Sequence, residues 1–481
     1  MGSDPASRVP CDAFDPKLLS APIMINLELT SGCNMKCRHC YNFWRGEDAA
    51  PAAGLEPRDI DLLAEKILAE GVFHVVLTGG EPLLRFDTLV YALKRFTEAG
   101  LSTSVNSNLM LLTAGKAARL RDAGLDHVLT SLNSRHAETN DYMVNSKGAL
   151  EKIKRGVKTA RAADIRVSVN MIVSEPNKDH VYETGRLCAE LGAQRLFATR
   201  LVPSVRVKDV RATDLRLEKR AAREVLAQIL AVKRDFGIGV GTLISYPLCF
   251  LEDLELYEDF VGRGCPAQRG NRMCVGADGS ARACTHEERS YGNVFTQGIG
   301  EVFQAMRAWR DGGYLHGECA GCAYLGVCAS GCRSAAYAYF GELSGPDPLF
   351  EGVGGVRKPY KPVLPGAILR AIDAGERFVA PERIRFRQED GFTTVNVRWA
   401  NAFALDSGLA AFLREKQRTG ESFCLADLRS NDPRRDLAIL IFKDAVEPLD
   451  ASLRASISGA VAKGCSLDPS LLPGLEIAEA P

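Results

Sequence analysis

The sequence predicts an α/β protein, with a partial (βα)6 barrel followed by a cysteine-rich region and a small α+β domain. Two observations carry this reading. Short apolar, β-rich runs alternate with helical patterns over the first half of the chain. Most of the 15 cysteines fall in two tight clusters, one inside that alternation and one after it. Strict strand and helix alternation specifies βα crossovers and a parallel sheet.

Strands are expected at Ile25–Leu29, His74–Thr78, Ser102–Val105, His127–Ser131, Arg166–Ile172 and Gln194–Arg200. Helices are expected between them at Asp59–Glu70, Asp87–Ala99, Ala114–Ala123, Gly148–Ala163 and Asp179–Leu191, with Leu215–Phe236 after the last strand. Six such units fit a partial TIM-like barrel over residues 22–245, behind an N-terminal tail of residues 1–21. In a barrel of this kind the loops at the C-terminal strand ends form the working face.

Composition narrows the classes. Lys+Arg 60 balance Asp+Glu 60, so nothing points to broad attraction to nucleic acid or an anionic membrane. No apolar run has the length of a membrane span, and Met1–Pro10 lacks the pattern of a secretory signal. A cytoplasmic protein is expected, and clustered cysteines there point to metal ligation over disulfides. The scattered Cys11, Cys188, Cys249, Cys424 and Cys465 read first as small buried apolar residues.

The run Cys33-Asn34-Met35-Lys36-Cys37-Arg38-His39-Cys40-Tyr41 directly follows the first strand and lies on the working face. Three thiolates on one loop suit three irons of a four-iron cluster, leaving the fourth iron open to a ligand outside the protein. The second strand ends in Thr78-Gly79-Gly80-Glu81-Pro82. Its glycines admit close approach to the backbone, and Glu81 offers a carboxylate for an ammonium group.

Together these motifs resemble the radical S-adenosylmethionine (SAM) superfamily over roughly residues 22–240. The resemblance implies that Cys33, Cys37 and Cys40 hold a 4Fe-4S cluster, with Tyr41 at the usual aromatic position. It implies that Gly79, Gly80 and Glu81 receive the methionine ammonium of SAM. One electron from the reduced cluster would then cleave SAM to methionine and a 5′-deoxyadenosyl radical, which abstracts hydrogen from a substrate. Ser107-Asn108-Leu109-Met110-Leu111-Leu112 is similar to the family's Thr-Asn-Gly-x-Leu-Leu, with Leu109 where Gly is common. Ser131-Leu132-Asn133-Ser134 is similar to its Ser-Leu-Asp-Gly, with Asn133 in place of Asp. Asn108 and Ser131 are carried over as SAM contacts.

The second cluster of cysteines has the spacing Cys319-x2-Cys322-x5-Cys328-x3-Cys332, preceded by Cys265, Cys274 and Gly279-x4-Cys284. Asp278-Gly279 reads as a hairpin turn. Spacing alone leaves structural zinc open. After a radical SAM barrel, the constellation over residues 246–345 resembles the SPASM extension, which carries two auxiliary 4Fe-4S clusters. That resemblance assigns Cys265, Cys274, Cys284 and Cys332 to the first and Cys319, Cys322 and Cys328 to the second. The family's further cysteine falls at Phe350, in Gly345-Pro346-Asp347-Pro348-Leu349-Phe350. The fourth position is therefore expected to be open or filled by a ligand other than cysteine, such as Asp347; a distant cysteine, Cys424 or Cys465, is the alternative.

A Pro- and Gly-rich stretch marks a linker over 346–375. Beyond it, Arg383–Glu389 and Thr393–Trp399 alternate with period two around Asp390-Gly391, a hairpin signature. Helices are expected near Ser407 and after Asp432-Pro433. Strands followed by small helices over 376–465 resemble the winged-helix-like RiPP recognition element, which binds leader peptides of ribosomally made, modified peptides by strand addition. A structural cap is the alternative, and residues 466–481 read as a tail.

The expected function is a radical SAM/SPASM maturase that uses SAM and three 4Fe-4S clusters. It would install a thioether, carbon-carbon cross-link, epimer or oxidised residue in a precursor peptide, with a flavodoxin or ferredoxin as electron donor. For epimerisation, Cys249 is the candidate hydrogen donor. The alternatives are a maturase of a tetrapyrrole, another small molecule or an enzyme's active-site residue, and a non-enzymatic iron-sulfur or zinc scaffold.

Overall fold

The computed structural model describes residues 19–43, 53–204, 215–257, 260, 264–358, 366–399, 401–455 and 457. Met1–Pro10, Cys11, Cys465 and the 466–481 tail lie outside the described residues.

The barrel half runs β1 (Met24–Glu28), α1 (Pro57–Ala69), β2 (His74–Thr78), α2 (Phe86–Glu98), β3 (Ser102–Asn106), α3 (Ala114–Asp122), β4 (His127–Ser131), α4 (Ala137–Val144), α5 (Ala149–Ala162), β5 (Arg166–Val173), α6 (Val181–Glu190), β6 (Arg195–Arg200) and α7 (Lys219–Phe236). The six expected strands stand within one residue of their predicted ends. Two further strands complete the sheet beside them: β7 (Gly239–Gly241), parallel to β6, and β8 (Arg272–Val275), parallel to β1. Neither is long enough to show a hydrophobic period. β8 returns through the expected Asp278-Gly279 turn to antiparallel β9 (Ala281–Arg282). The resulting nine-stranded sheet has the order β7-β6-β5-β4-β3-β2-β1-β8-β9.

Helices cover the outside of this sheet through apolar stripes. In α1, Pro57 opens the first turn, a reciprocal Glu56 and Asp59 box caps it, and Ile60, Leu63, Ala64 and Ile67 are buried at helical spacing. In α5 the buried stripe includes Leu150, Ile153, Gly156, Val157 and Ala160. Gly156 is required there, because a Cβ would collide with the Leu109 carbonyl oxygen. Gly237, at φ +65°, ends α7 with a left-handed cap.

After α8 (Leu248–Leu251), the cysteine-rich region adds α9 (Ile299–Ala305), α10 (Arg307–Arg310), α11 (Leu325–Cys328) and α12 (Arg333–Phe340). Its hairpin is locked to the barrel by a buried ion pair, Arg282 to Glu28 at 2.5 Å.

The C-terminal unit comprises α13 (Gly366–Asp373), β10 (Phe378–Val379), β11 (Arg385–Gln388), β12 (Thr393–Arg398), β13 (Asn401–Leu405), α14 (Ser407–Thr419), α15 (Pro433–Phe442) and β14 (Glu447–Pro448). Asp406 caps α14, and Asp432 caps α15 as its sequence context predicts. The segment read as a linker, 346–375, contains α13, whose Ile368, Leu369, Ala371 and Ile372 join the C-terminal core. The preceding Pro and Gly residues obscured this short apolar helix. β11-β12-β13 form a three-stranded antiparallel sheet, of which only the first hairpin was expected.

That sheet docks on the N-terminal ends of the barrel strands. Arg385 donates to the carbonyls of Phe73 and Gly100, each at 2.5 Å, and Arg387 to those of Ala21 and Pro22 at 2.7 and 3.0 Å. Trp399, in the turn after β12, packs against His127, where β4 begins, and under the Arg166 guanidinium, where β5 begins.

Candidate active site

A cavity of about 440 Å³ runs through the barrel from the C-terminal strand ends down to Trp399. Its lining includes Cys33, Cys37, Cys40, Tyr41, Gly79, Gly80, Glu81, Asn108 and Ser131. These nine residues, carried by the first four strand ends, thus meet one space.

The loop after β1 and the turn after β2 are built against each other. The Gly80 and Glu81 N–H groups donate to the Thr30 and Gly32 carbonyls at 2.7 and 2.8 Å. A Cβ on Gly79 or Gly80 would collide with those same carbonyl oxygens, so both glycines are required by this approach alone. Gly79, at φ +135°, also has a conformation that side-chain-bearing residues rarely adopt.

Glu81 is engaged by its own chain. It caps the turn through Leu83 N–H at 2.9 Å and accepts from Ser107 Oγ and Asn108 N–H at 2.7 and 2.8 Å. Burial raises its carboxyl above the usual range, against the pull of these three donors. Its visible work is to fasten the end of β3 to the end of β2. Asn108 similarly donates to Asn34 Oδ1 at 2.7 Å, bracing the three-cysteine loop. Leu109 holds the left-handed conformation, φ +58°, with its side chain buried; the backbone bend is kept where the related pattern has Gly. Asn133 accepts from Ile172 N–H at 3.0 Å and serves the sheet.

Among the described residues several polar atoms on the cavity wall have no protein partner: Asn26 Oδ1, His39 Nδ1 and Asn42 Oδ1 are all buried. Such atoms are costly unless a bound group satisfies them. Together with three thiols on one loop and the cavity-lining Gly79 and Gly80, they fit a polar cofactor beside a metal cluster.

Cys265, Cys284 and Cys332 line the same cavity further along its wall. Cys274 is fully buried on β8, two residues from the cavity-lining Arg272 and on the same face of the strand. Hydrogen bonds already reach these sulfurs, among them one from Ser334 Oγ to Cys284 at 3.3 Å and one from Ala335 N–H to Cys332 at 3.4 Å. Burial pushes the Cys274 and Cys332 thiols up to about 12. They are protonated at neutral pH in the protein alone, and a bound cation would deprotonate them. Among the described residues no group of three or more His, Cys, Asp or Glu is arranged to hold a metal ion.

A second cavity, of about 240 Å³, is lined by Cys249, Cys319, Cys322, Cys328 and Phe350. Cys249 is absent from the lining of the first cavity. The hydrogen-donor role offered for Cys249, near the barrel exit, requires reach to the substrate carbon, and this placement in the second cavity does not favour it. Asp347, the offered carboxylate ligand, is occupied elsewhere. It binds Arg200 at 2.6 Å and accepts the N–H groups of Cys332 and Leu349 at 2.8 and 2.9 Å. Cys424 lies in the C-terminal unit, before a turn capped by Asp427.

Sequence reasoning did not reach Asn34, Asn42, Arg200 or Trp399. All but Asn34 line the first cavity; Asn34 and Asn42 belong to or adjoin the three-cysteine loop, whereas Arg200 and Trp399 are brought to the cavity by long-range packing.

This architecture, with a three-cysteine loop after the first strand of a parallel α/β barrel, defines a class, and the comparisons agree. Residues 27–188 match the Radical SAM superfamily. Those residues form a radical SAM domain, of a family that binds SAM and a 4Fe-4S cluster. The chain is 29% identical over 351 residues to AdoMet-dependent heme synthase from Methanosarcina barkeri, covering 69% of this chain and 97% of that protein. It is 28% identical over 353 residues to mycofactocin maturase MftC from Mycolicibacterium smegmatis, covering 70% and 84%. Its fold is similar to the crystal structure of Streptococcus suis SuiB bound to precursor peptide SuiA. That superposition has a TM-score of 0.55, 16% identity and coverage of 69% and 76%. Among the described residues no helix is long and apolar enough to cross a membrane.

Proposed function

We propose that this enzyme is a radical SAM/SPASM maturase of a ribosomal precursor peptide. In this reading Cys33, Cys37 and Cys40 hold the radical-generating cluster, and Tyr41, Gly79, Gly80, Glu81, Asn108 and Ser131 surround SAM. Cys265, Cys274, Cys284 and Cys332 hold a first auxiliary cluster, and Cys319, Cys322 and Cys328 contribute to a second. Bound together, SAM and the reduced cluster supply a carbon radical that abstracts hydrogen from the substrate. The chain's own part is to orient the reacting carbon and exclude water from the long barrel cavity. Auxiliary clusters suit an oxidative outcome, since the electron left on the substrate needs an acceptor.

The observation that favours a peptide is the C-terminal unit. Three antiparallel strands are followed by α14 and α15, and among the described residues β13 pairs on one side only, with β12. Its other edge offers main-chain donors and acceptors to an extended peptide. The similarity to MftC, named as a maturase, and the fold shared with peptide-bound SuiB support the same substrate class. A flavodoxin or ferredoxin is the proposed electron donor.

The similarity to heme synthase favours a second reading, a tetrapyrrole as substrate. Anaerobic incubation with SAM, a strong reductant and either a precursor-like peptide encoded beside the gene or a tetrapyrrole separates the two. A mass change in the peptide, with 5′-deoxyadenosine formed in step, is the expected result. Conversion of the tetrapyrrole with no peptide affinity would overturn it.

A further inference from the structure

The cysteine-rich pattern leaves one cluster short of a ligand, because Phe350 stands where the related pattern has its last cysteine. The structure brings another thiol to that place from the opposite direction along the chain. Cys249, on α8, lines the second cavity with Cys319, Cys322, Cys328 and Phe350 itself. Its Sγ accepts the N–H of Glu351, the residue after Phe350, at 3.4 Å. The sulfur therefore sits beside the backbone from which the missing cysteine would have reached in.

Two more contacts fix it there. The N–H of Leu248, its chain neighbour, donates to Cys328 Sγ at 3.5 Å. The 350–355 loop closes over α8 so tightly that a Cβ on Gly355 would lie 2.6 Å from the Cys249 carbonyl oxygen and 2.8 Å from its Cβ. Phe350 turns its ring to His316, with centroids 5.1 Å apart. Two of the competing ligands are placed elsewhere: Asp347 is bound to Arg200, and Cys424 belongs to the C-terminal unit; the third, Cys465, lies outside the described residues.

We infer that Cys249 is the fourth ligand of the second auxiliary cluster, taking from upstream of the cysteine-rich region the place that Phe350 vacates downstream. The inference rests on the reading above that a second auxiliary cluster exists. Ligation exchanges the S–H bond for an S–Fe bond and releases the proton to solvent. The open or non-cysteine position expected from the sequence is thereby filled. A cluster held by four thiolates has no vacant iron for a substrate thiolate, so its role is to carry electrons. Backbone N–H groups aimed at Cys249 and Cys328 are a standard means of tuning the potential of such a cluster.

The test compares full-length wild type with C249A and the more conservative C249S, all reconstituted anaerobically. Iron and acid-labile sulfide are counted, and EPR spectra are recorded on the reduced proteins. Wild type is expected to hold about twelve irons, three clusters of four. C249A is expected to lose about four of them, and C249S either to lose them or to keep them with one altered EPR signal. In both, the signal that responds to SAM is unchanged, which excludes general misfolding. Variants with wild-type iron, sulfide and EPR spectra would overturn the role of Cys249 while leaving the cluster in place. Wild type with no more than about eight irons would remove the second auxiliary cluster, and the inference with it, before any variant is made.

Discussion

Arg200, the last residue of β6, donates to the Asp347 carboxylate at 2.6 Å, and both side chains are almost fully enclosed. This pair ties the end of the barrel to the chain that leaves the cysteine-rich region, and Asp347 also holds the N–H of Cys332. Removing one partner leaves a buried charge without compensation. D347A is expected to destabilise the protein by about 3–5 kcal/mol, read by urea denaturation. D347N, which keeps the shape and some of the hydrogen bonds, should cost less. Equal losses in the two variants would show that the charge, which both remove, carries the whole effect.

G80A pushes a Cβ into the Gly32 carbonyl, and the three-cysteine loop has to move. The expected outcome is a fall of at least about tenfold in 5′-deoxyadenosine formation, roughly 1.4 kcal/mol of barrier, with reduced iron retention. G115A is the control, because nothing lies within 4 Å of a Cβ there.

G156A inverts a general rule. Replacing a mid-helix Gly by Ala ordinarily gains up to about 1 kcal/mol. Here the added methyl meets the Leu109 carbonyl oxygen, a backbone atom held by the left-handed bend at Leu109. Overpacking of this kind costs about 1–3 kcal/mol, so a net loss of stability is expected, measurable as a lower denaturant midpoint.

His74 bridges Ser102 Oγ and Ser104 Oγ at 2.8 and 3.0 Å, and burial lowers its pKa from 6.5 to about 4. The unfolded chain binds the proton first on acidification. The stability contributed by neutral His74 is therefore complete above pH 6.5 and is lost as the pH falls toward 4. By pH 5.5 the loss from this one group is about 1.4 kcal/mol. H74Q, which retains a polar side chain at this position, should show a shallower decline between pH 7.5 and 5.5. An unchanged slope would place the pH sensitivity elsewhere.

Much of the barrel was legible because its buried parallel strands carry contiguous apolar runs, and Val75, Val76 and Leu77 in β2 are an example. β7 and β8 were not, since three or four residues cannot display a period. The first site was legible where its residues cluster on strand ends, as with Cys33 to Tyr41 and Gly79 to Glu81. Glu81 shows the limit of that reading: its carboxylate is spent on Ser107, Asn108 and Leu83, partners that only the fold supplies. Cys249 shows another. The thiol was visible, but its separation from Cys319 along the chain hid the cavity they share, and Arg200 with Asp347 gave no local signal at all.

Trp399, Arg385 and Arg387 seat the C-terminal sheet at the foot of the barrel, whereas Cys33, Cys37 and Cys40 stand at its head. For a peptide held along β13, that placement acts as a ruler. The segment to be modified has to travel at least the height of the wall, for which the eight residues of β5 give about 26 Å when extended. Substrates with fewer than about eight residues between the anchored stretch and the modified one would bind without being converted, so a shortened spacer makes an inhibitor out of a substrate.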